Sequence, residues 1–327
     1  MALAILFLII GLCALVFGGE LLVRGAVGLA ERAGISALVI GLFIVGFGTS
    51  MPELVTSVEA ALAGSPDIAW GNIVGSNIAN SLLILGAAAV IAPIAITSAN
   101  RLRDPAVAIG SSLVLAGLAV TGFGHWLIGL LLVAILLAYI FHCYRQERAV
   151  EPESVHNAPY DRSLAMEMSD SGLHSKPIGW GRPIMLTLVG LVVLIGGGRL
   201  LVSGAIDLAT LAGLSETLIG LTIVAVGTSL PELVTSVIAA RKGEAEVAFG
   251  NVVGSNIYNI LGIGGATMLM APGQIPTDLI PLDIGLMTAS AIAILLLIGW
   301  RGGVGRIYGL TLIVSYCVYL AILVAKA

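Results

Sequence analysis

Gly48-Thr49-Ser50-Met51-Pro52-Glu53-Leu54-Val55-Thr56-Ser57 returns 179 residues later as Gly227-Thr228-Ser229-Leu230-Pro231-Glu232-Leu233-Val234-Thr235-Ser236, with only Met51 changed, to Leu230. The same shift carries Gly71-Asn72 and Gly75-Ser76-Asn77-Ile78-Ala79-Asn80 onto Gly250-Asn251 and Gly254-Ser255-Asn256-Ile257-Tyr258-Asn259, and Pro93 onto Pro272. Gly18-Gly19 and Gly25-Ala26 find Gly197-Gly198 and Gly204-Ala205, so the duplication reaches back through the first helix of each half. The chain is thus two copies of one unit, and the surrounding solvent decides how the copies are arranged.

That solvent is a bilayer. Of the 327 residues, 58% are hydrophobic and 10% charged, with a mean hydropathy of +1.07, a balance foreign to water-soluble domains. Apolar runs long enough to span the hydrocarbon, about 20 residues each, fall at roughly 2–23, 36–62, 69–93, 105–121, 125–144, 183–202, 215–241, 248–271, 279–299 and 304–324. The expected fold is an all-α integral membrane protein of ten transmembrane helices. The first run lacks a basic leader and a small-residue cleavage site, and is expected to be a retained helix. Cys13, Cys143 and Cys317 are odd in number and lie in or beside spans, which argues against a disulfide framework. A net charge of -4 offers no basic patch for nucleic acid.

Five spans per half is an odd number, so the second copy enters the membrane from the opposite side. The expected organisation is a first repeat over 1–144, a cytoplasmic linker over 145–182 and an inverted second repeat over 183–327, with the repeated motifs at 46–93 and 225–272. Inverted repeats sit around a pseudo-two-fold axis in the membrane plane, with the binding site at the midplane where the halves meet. The linker carries Pro152, Pro159 and Pro177 and no apolar period, and His142, His156 and His174 in and beside it lack metal-ligand spacing. With the N-terminus outside, thirteen of the fifteen basic residues fall in inner loops and only Arg199 and Lys326 outside. The positive-inside bias selects that orientation, with both termini out.

The repeated motif carries the chemistry. Pro52 lies inside the second span, where it lacks an N–H, clashes with the carbonyl of Gly48 and pushes Met51 away from helical angles. The helix is expected to break there, and freed carbonyls at membrane depth are tolerated only where they line a cavity or site. Glu53 sits one residue past the break, and Pro231 and Glu232 reproduce the arrangement from the other side. A charge at the bilayer centre costs about 3 kcal/mol on insertion scales, and neither helix has a lysine or arginine near the motif. Compensation comes from a bound cation or from protons. Two carboxylates and two backbone carbonyls make an all-oxygen site that suits Ca²⁺ better than Zn²⁺ or a soft metal.

Asn72, Ser76 and Asn80 recur every four residues on one helical stripe, with Gly71 and Gly75 as a small-residue seam, and Asn251, Ser255 and Asn259 do the same with Gly250 and Gly254. Their neutral oxygens, added to shared carboxylates, make plausible sites for a small monovalent cation. Competition for the same glutamates is a physical basis for exchange. For a single hydroxyl the plainer reading is interhelical packing, which is the reading given to Thr56, Ser57, Thr235 and Ser236. Glu59 has no counterpart, since Ile238 stands in its place, and is expected near the outer end of its helix.

These paired segments resemble the alpha repeats of the cation/calcium exchanger superfamily, specifically its prokaryotic-type sodium/calcium exchanger branch, over essentially the whole chain. The resemblance implies a ten-helix antiporter whose first and sixth helices slide across the remaining bundle to give alternating access. By position it implies Ca²⁺ ligation by Glu53, Glu232 and the carbonyls of Thr49 and Thr228. It implies Na⁺ sites from Ser50, Ser76, Asn80, Ser229, Ser255 and Asn259, with carbonyls near Gly46 and Ala225 and the shared Glu53 and Glu232. Potassium-dependent relatives carry an Asp where this chain has Asn259, which argues against potassium co-transport. The ions are cargo, no cofactor is expected, and the expected surroundings are the lipid bilayer of a prokaryotic cell membrane. Ca²⁺/H⁺ or another divalent antiport is the alternative in which protons replace Na⁺. A cation channel would need no inverted duplication, and an intramembrane hydrolase would need cleft residues that do not accompany the two acids.

Overall fold

The computed structural model describes residues 1–32, 46–96, 102–122, 124–148, 180–243 and 245–326. The first part of the expected second span, most of the expected linker and the histidines at 156 and 174 lie outside the described residues.

Apolar sequence of bilayer length folds as helix because helix satisfies every backbone group internally. In the first half the chain runs through α1 (Ala2–Arg32), α2 (Gly46–Thr49), α3 (Met51–Leu62) and α4 (Pro66–Ile78). A π-helical stretch at Ala79–Ile84 leads into α5 (Leu85–Ile91), followed by the two-residue strand β1 (Ile94–Ala95), α6 (Arg103–Thr121) and α7 (Trp126–Arg148). The second half repeats the order of the helices, with its strand placed between the last two. It comprises α8 (Gly181–Ala212), α9 (Glu216–Ile219), a π stretch at Gly220–Val224, α10 (Ala225–Thr228), α11 (Leu230–Arg241) and α12 (Ala245–Ile257). A second π stretch at Tyr258–Gly264 continues into α13 (Gly265–Met270), α14 (Leu282–Arg301), β2 (Gly303–Val304) and α15 (Arg306–Lys326).

Among the described residues eight helices are long and apolar enough to cross a membrane, and a ninth span follows if the bent pair Glu216–Thr228 and Leu230–Arg241 is counted as one. The chain is therefore a multi-pass, helical membrane protein. Antiparallel pairing of Ile94 with Val304 and Ala95 with Gly303 adds a short strand contact that hydropathy does not signal. Gly122 and Gly302 end α6 and α14 in the left-handed conformation, with φ of 66° and 70°, where a Cβ would be strained.

The spans sort into two roles. The continuous segments Pro66–Ile91 and Ala245–Met270 have 83% and 78% of their apolar windows buried, against 28% to 39% for the other single-helix spans. These two form the centre of the bundle, and the rest turn one face to lipid.

The first helix of each half is longer than hydropathy suggests. α1 has 31 residues, about 46 Å at 1.5 Å per residue, and runs past the expected end to include Arg24 and Arg32. The 32-residue α8 likewise runs ten residues past its expected end at 202, to Ala212. Charges end a hydropathy window but not a helix, and the ion pair of Arg24 with Glu20 one turn back supports continuation.

α1 and α8 pack antiparallel along glycines spaced seven apart. A Cβ on Gly11 would meet the Leu201 backbone nitrogen at 2.5 Å, one on Gly18 the Leu194 nitrogen at 2.8 Å, and one on Gly204 the Ala4 carbonyl oxygen at 2.7 Å. Without side chains on that seam the two backbones approach closely and form one paired unit.

A second motif recurs in both halves, its aspartates 179 residues apart and its tyrosines 180. Tyr139 Oη donates to Asp104 Oδ1 at 2.7 Å and Tyr319 Oη donates to Asp283 Oδ1 at 2.8 Å, tying α7 to α6 and α15 to α14. Asp104 has Arg103 as an additional partner at 2.6 Å.

Candidate cation site

The helix breaks lie at Ser50 and Ser229, whose φ and ψ are -87° and 8°, and -83° and 8°. Met51 and Leu230 already begin the next helix, with Pro52 and Pro231 in its first turn, so the break falls one residue earlier than expected. Proline is tolerated there because first-turn N–H groups have no intrahelical partner. The second break bends its span by 46°.

One residue beyond each proline, Glu53 and Glu232 are each 1% exposed. Each is held by the serine at the other half's break. Ser229 Oγ donates to Glu53 Oε1 at 2.9 Å, and Ser50 Oγ donates to Glu232 Oε1 at 3.1 Å. The threonines just before the breaks lie beside the same carboxylates, Thr228 near Glu53 and Thr49 near Glu232. The two motifs are thus locked together at the carboxylates they share.

α4 and α12 supply the outer frame. Asn72 Nδ2 donates to the Glu53 carbonyl at 3.3 Å and to Ser57 Oγ at 2.9 Å. Asn251 Nδ2 donates to the Glu232 carbonyl at 3.1 Å and to Ser236 Oγ at 2.7 Å. Ser57 and Ser236, read from sequence as packing, therefore anchor the amides that set the broken helices. The asparagine stripe pointed toward this without revealing that the amide nitrogen, rather than the oxygen, faces the glutamate segment.

The remaining polar atoms are left facing inward. Glu53 Oε2, Glu232 Oε2, Asn80 Oδ1, Asn259 Oδ1, Ser255 Oγ and Thr56 Oγ1 are buried without a hydrogen-bond partner. Asn80 and Asn259 sit in the π-helical stretches, whose wider turn rotates the residues that follow and is common at functional sites. Sequence reading treats these segments as regular α-helix, and no signal common to the two halves marks the wider turn.

The other expected site residues divide between the halves. Ser76 Oγ lies 3.4 Å from Asn72 Oδ1 and 3.5 Å from the Ala225 carbonyl oxygen, while Thr228 Oγ1 donates to Asn72 Oδ1 at 3.1 Å and lies 3.3 Å from the Ala225 oxygen. Ser76, Ala225 and Thr228 are therefore brought together. The mirror bond from Ser255 to the Gly46 carbonyl is not made.

Buried, unpartnered carboxylate oxygens cost several kcal/mol unless charge is neutralised. Among the described residues no lysine or arginine pairs with either glutamate, and no three His, Cys, Asp or Glu side chains gather anywhere. The centre offers two carboxylates surrounded by amide, hydroxyl and carbonyl oxygens, a donor set for hard cations.

Comparison with known proteins decides the family. Residues 3–145 and 183–325 match the model of the sodium/calcium exchanger protein family. This chain belongs to that family. Among its relatives, the sodium/calcium exchanger MaX1 of Methanosarcina acetivorans is 32% identical over 341 residues, covering 97% of each chain. The inner membrane protein YrbG of Escherichia coli is 34% identical, covering 99% of this chain and 97% of its own. A solved structure of the sodium-calcium exchanger NCX_Mj, soaked with Na⁺ and Sr²⁺, superposes with a TM-score of 0.62 at 27% identity over 98% of each chain. This exchanger is a transporter and not an enzyme, a multi-pass cation/Ca²⁺ antiporter.

Proposed function

We propose that this exchanger moves Ca²⁺ against Na⁺ through ten spans arranged as two inverted five-helix repeats. The repeats comprise residues 1–144 and 183–327, joined by a cytoplasmic linker at 145–182, and hold the motifs 46–93 and 225–272. The antiparallel packing of α1 with α8, equivalent helices of the two halves, supports the inversion. The charge bias supports both termini outside, and the bacterial and archaeal relatives support a prokaryotic cell membrane.

The observation that carries the reading is the reciprocal bonding of Glu53 and Glu232 by Ser229 and Ser50, which leaves one oxygen of each carboxylate free. In this proposal Ca²⁺ takes those oxygens with the carbonyls of Thr49 and Thr228. Na⁺ ions use the same carboxylates together with Ser50, Ser76, Asn80, Ser229, Ser255, Asn259 and the carbonyls of Gly46 and Ala225. Because both loads need Glu53 and Glu232, filling by one expels the other. Either load offsets the double negative charge and lets the helices move; the empty site stays charged and holds them in place.

The test is ⁴⁵Ca²⁺ uptake into proteoliposomes loaded with Na⁺ and diluted into Na⁺-free buffer. Uptake that needs internal Na⁺, and fails with K⁺ or choline inside, is the expected result. Uptake driven by an acid interior without Na⁺ would move the protein to proton coupling.

A further inference from the structure

The two halves share a motif but not a closure. Gly198 on α8 lies against α3, where an added Cβ would meet Val55 Cγ1 at 2.6 Å. The equivalent glycine on α1 is Gly19, yet an added Cβ there would meet the Gly48 carbonyl and Pro52 ring at 3.9 Å, not the equivalent Val234. Side-chain exposure follows the same division. Met51, Val55 and Glu59 form a partly covered stripe on α3. Their counterparts Leu230, Val234 and Ile238 on α11 are 37%, 55% and 42% exposed. The α8 side of the site is sealed and the α1 side is open, matching the Ser76 bonds that have no equivalent at Ser255.

One ion pair marks the sealed side. Arg199 Nε donates to Glu59 Oε2 at 3.2 Å, joining α8 to α3 one turn beyond Val55. The residue following the glycine on α1 is Glu20, which bonds Arg24 of its own helix, and the counterpart of Glu59 on α11 is Ile238. The second half therefore has no partner for such a pair. An arginine nineteen residues into a spanning helix is costly unless an acid accompanies it; Glu59 is that acid.

We propose that Arg199 and Glu59 form a latch present only when α8 is closed on α3, which biases the exchanger toward shutting the passage at the Leu62 end of α3. The proposal rests on the alternating-access reading above. The Arg199 side chain is 70% exposed, so the pair belongs with weak, partly solvated ion pairs, and losing it shifts the equilibrium about fivefold. By the inverted topology, the Leu62 end of α3 and the Ala212 end of α8 face the same side, and the Arg241 end of α11 faces the other.

The test uses full-length protein in oriented proteoliposomes, with Cys13, Cys143 and Cys317 replaced by serine and a single Val55→Cys or Val234→Cys added. A membrane-impermeant thiol reagent is applied from each face. The expected result is slow labelling of V55C, about fivefold faster labelling when R199Q or E59Q is added, and slow labelling again in the E59R/R199E swap. V234C is expected to react readily from the opposite face and more slowly in R199Q. Unchanged V55C labelling in R199Q, or a swap that labels as fast as the single variants, overturns the latch. Recovery by the swap separates a latch from a folding defect. Na⁺-dependent Ca²⁺ flux, measured on the same vesicles, tests the antiport reading separately, since labelling reports helix position whether or not the coupling ion is Na⁺.

Discussion

The motif segments 48–57 and 227–236 differ at one residue, fold into the same broken helix with backbone angles within a few degrees at the break, and place glutamates of equal burial. What differs is the long helix beside each. α8 lies on α3 and covers Val55, whereas α1 sits over Gly48 and Pro52 and leaves Val234 exposed. Local structure follows local sequence; access to the site follows the position of the packed pair α1 and α8. Two nearly identical half-sites are thus covered differently in one structure, as the alternating-access proposal requires.

The largest test of the comparison is at the glutamates, where the halves are equal. Glu53→Gln and Glu232→Gln are each expected to lower Ca²⁺ flux about a hundredfold, because each loses a charged ligand contact worth roughly 3 kcal/mol. Proteoliposome uptake measures this, and a variant that keeps near-normal exchange would show that only one half serves Ca²⁺. Next come the framing amides. Asn72→Ala and Asn251→Ala are each expected to raise the half-saturating Ca²⁺ concentration about tenfold, since each frees a Glu53 or Glu232 segment from its anchor on Ser57 or Ser236. A titration of initial uptake rates reads the effect, and a tenfold rise in one variant alone would break the symmetry at the frame.

The Asp–Tyr pairs sharpen the contrast further out. Tyr319→Phe is expected to cost about 2 kcal/mol of stability because it strips a bond from Asp283, which is 4% exposed. Tyr139→Phe is expected to cost nearer 1 kcal/mol because Asp104 keeps Arg103. Denaturant unfolding in detergent ranks them, and a larger loss at Tyr139 would contradict the arrangement. The smallest effect is at the serines. Ser76→Ala is expected to cost about 1 kcal/mol and Ser255→Ala close to none, because only Ser76 is bonded in this state. A saturating load of the cation that fills the site is expected to narrow that difference, as Ser255 gains a partner.

Much of this was legible beforehand. The 179-residue repeat, the intramembrane prolines and the two unpaired glutamates are properties of adjacent residues, so they survive without a fold. The stripe of Asn72, Ser76 and Asn80 likewise implied a polar face. The π-helical stretches holding Asn80 and Asn259 were not legible, because a wider turn is chosen by packing against neighbouring helices rather than by side-chain type. Nor was the extension of α1 and α8: hydropathy marks where a span leaves the hydrocarbon, and a helix held by a glycine seam continues beyond that point. Arg199, expected near the outer end of its span, became an interior helix residue for the same reason.

By itself the sequence determined a membrane-embedded helical duplication with a paired carboxylate centre, because apolar length, proline position and buried charge act through short-range chemistry. Tertiary structure alone decided that Ser229 holds Glu53 and Ser50 holds Glu232, bonds that join residues 176 and 182 positions apart. It also decided which side of the site is shut. A nearly symmetric sequence assigns the two closures nearly the same local energy, and the choice between them is made by where one packed pair of helices rests on the bundle, with Arg199 and Glu59 on one side and their counterparts Glu20 and Ile238 unable to pair on the other.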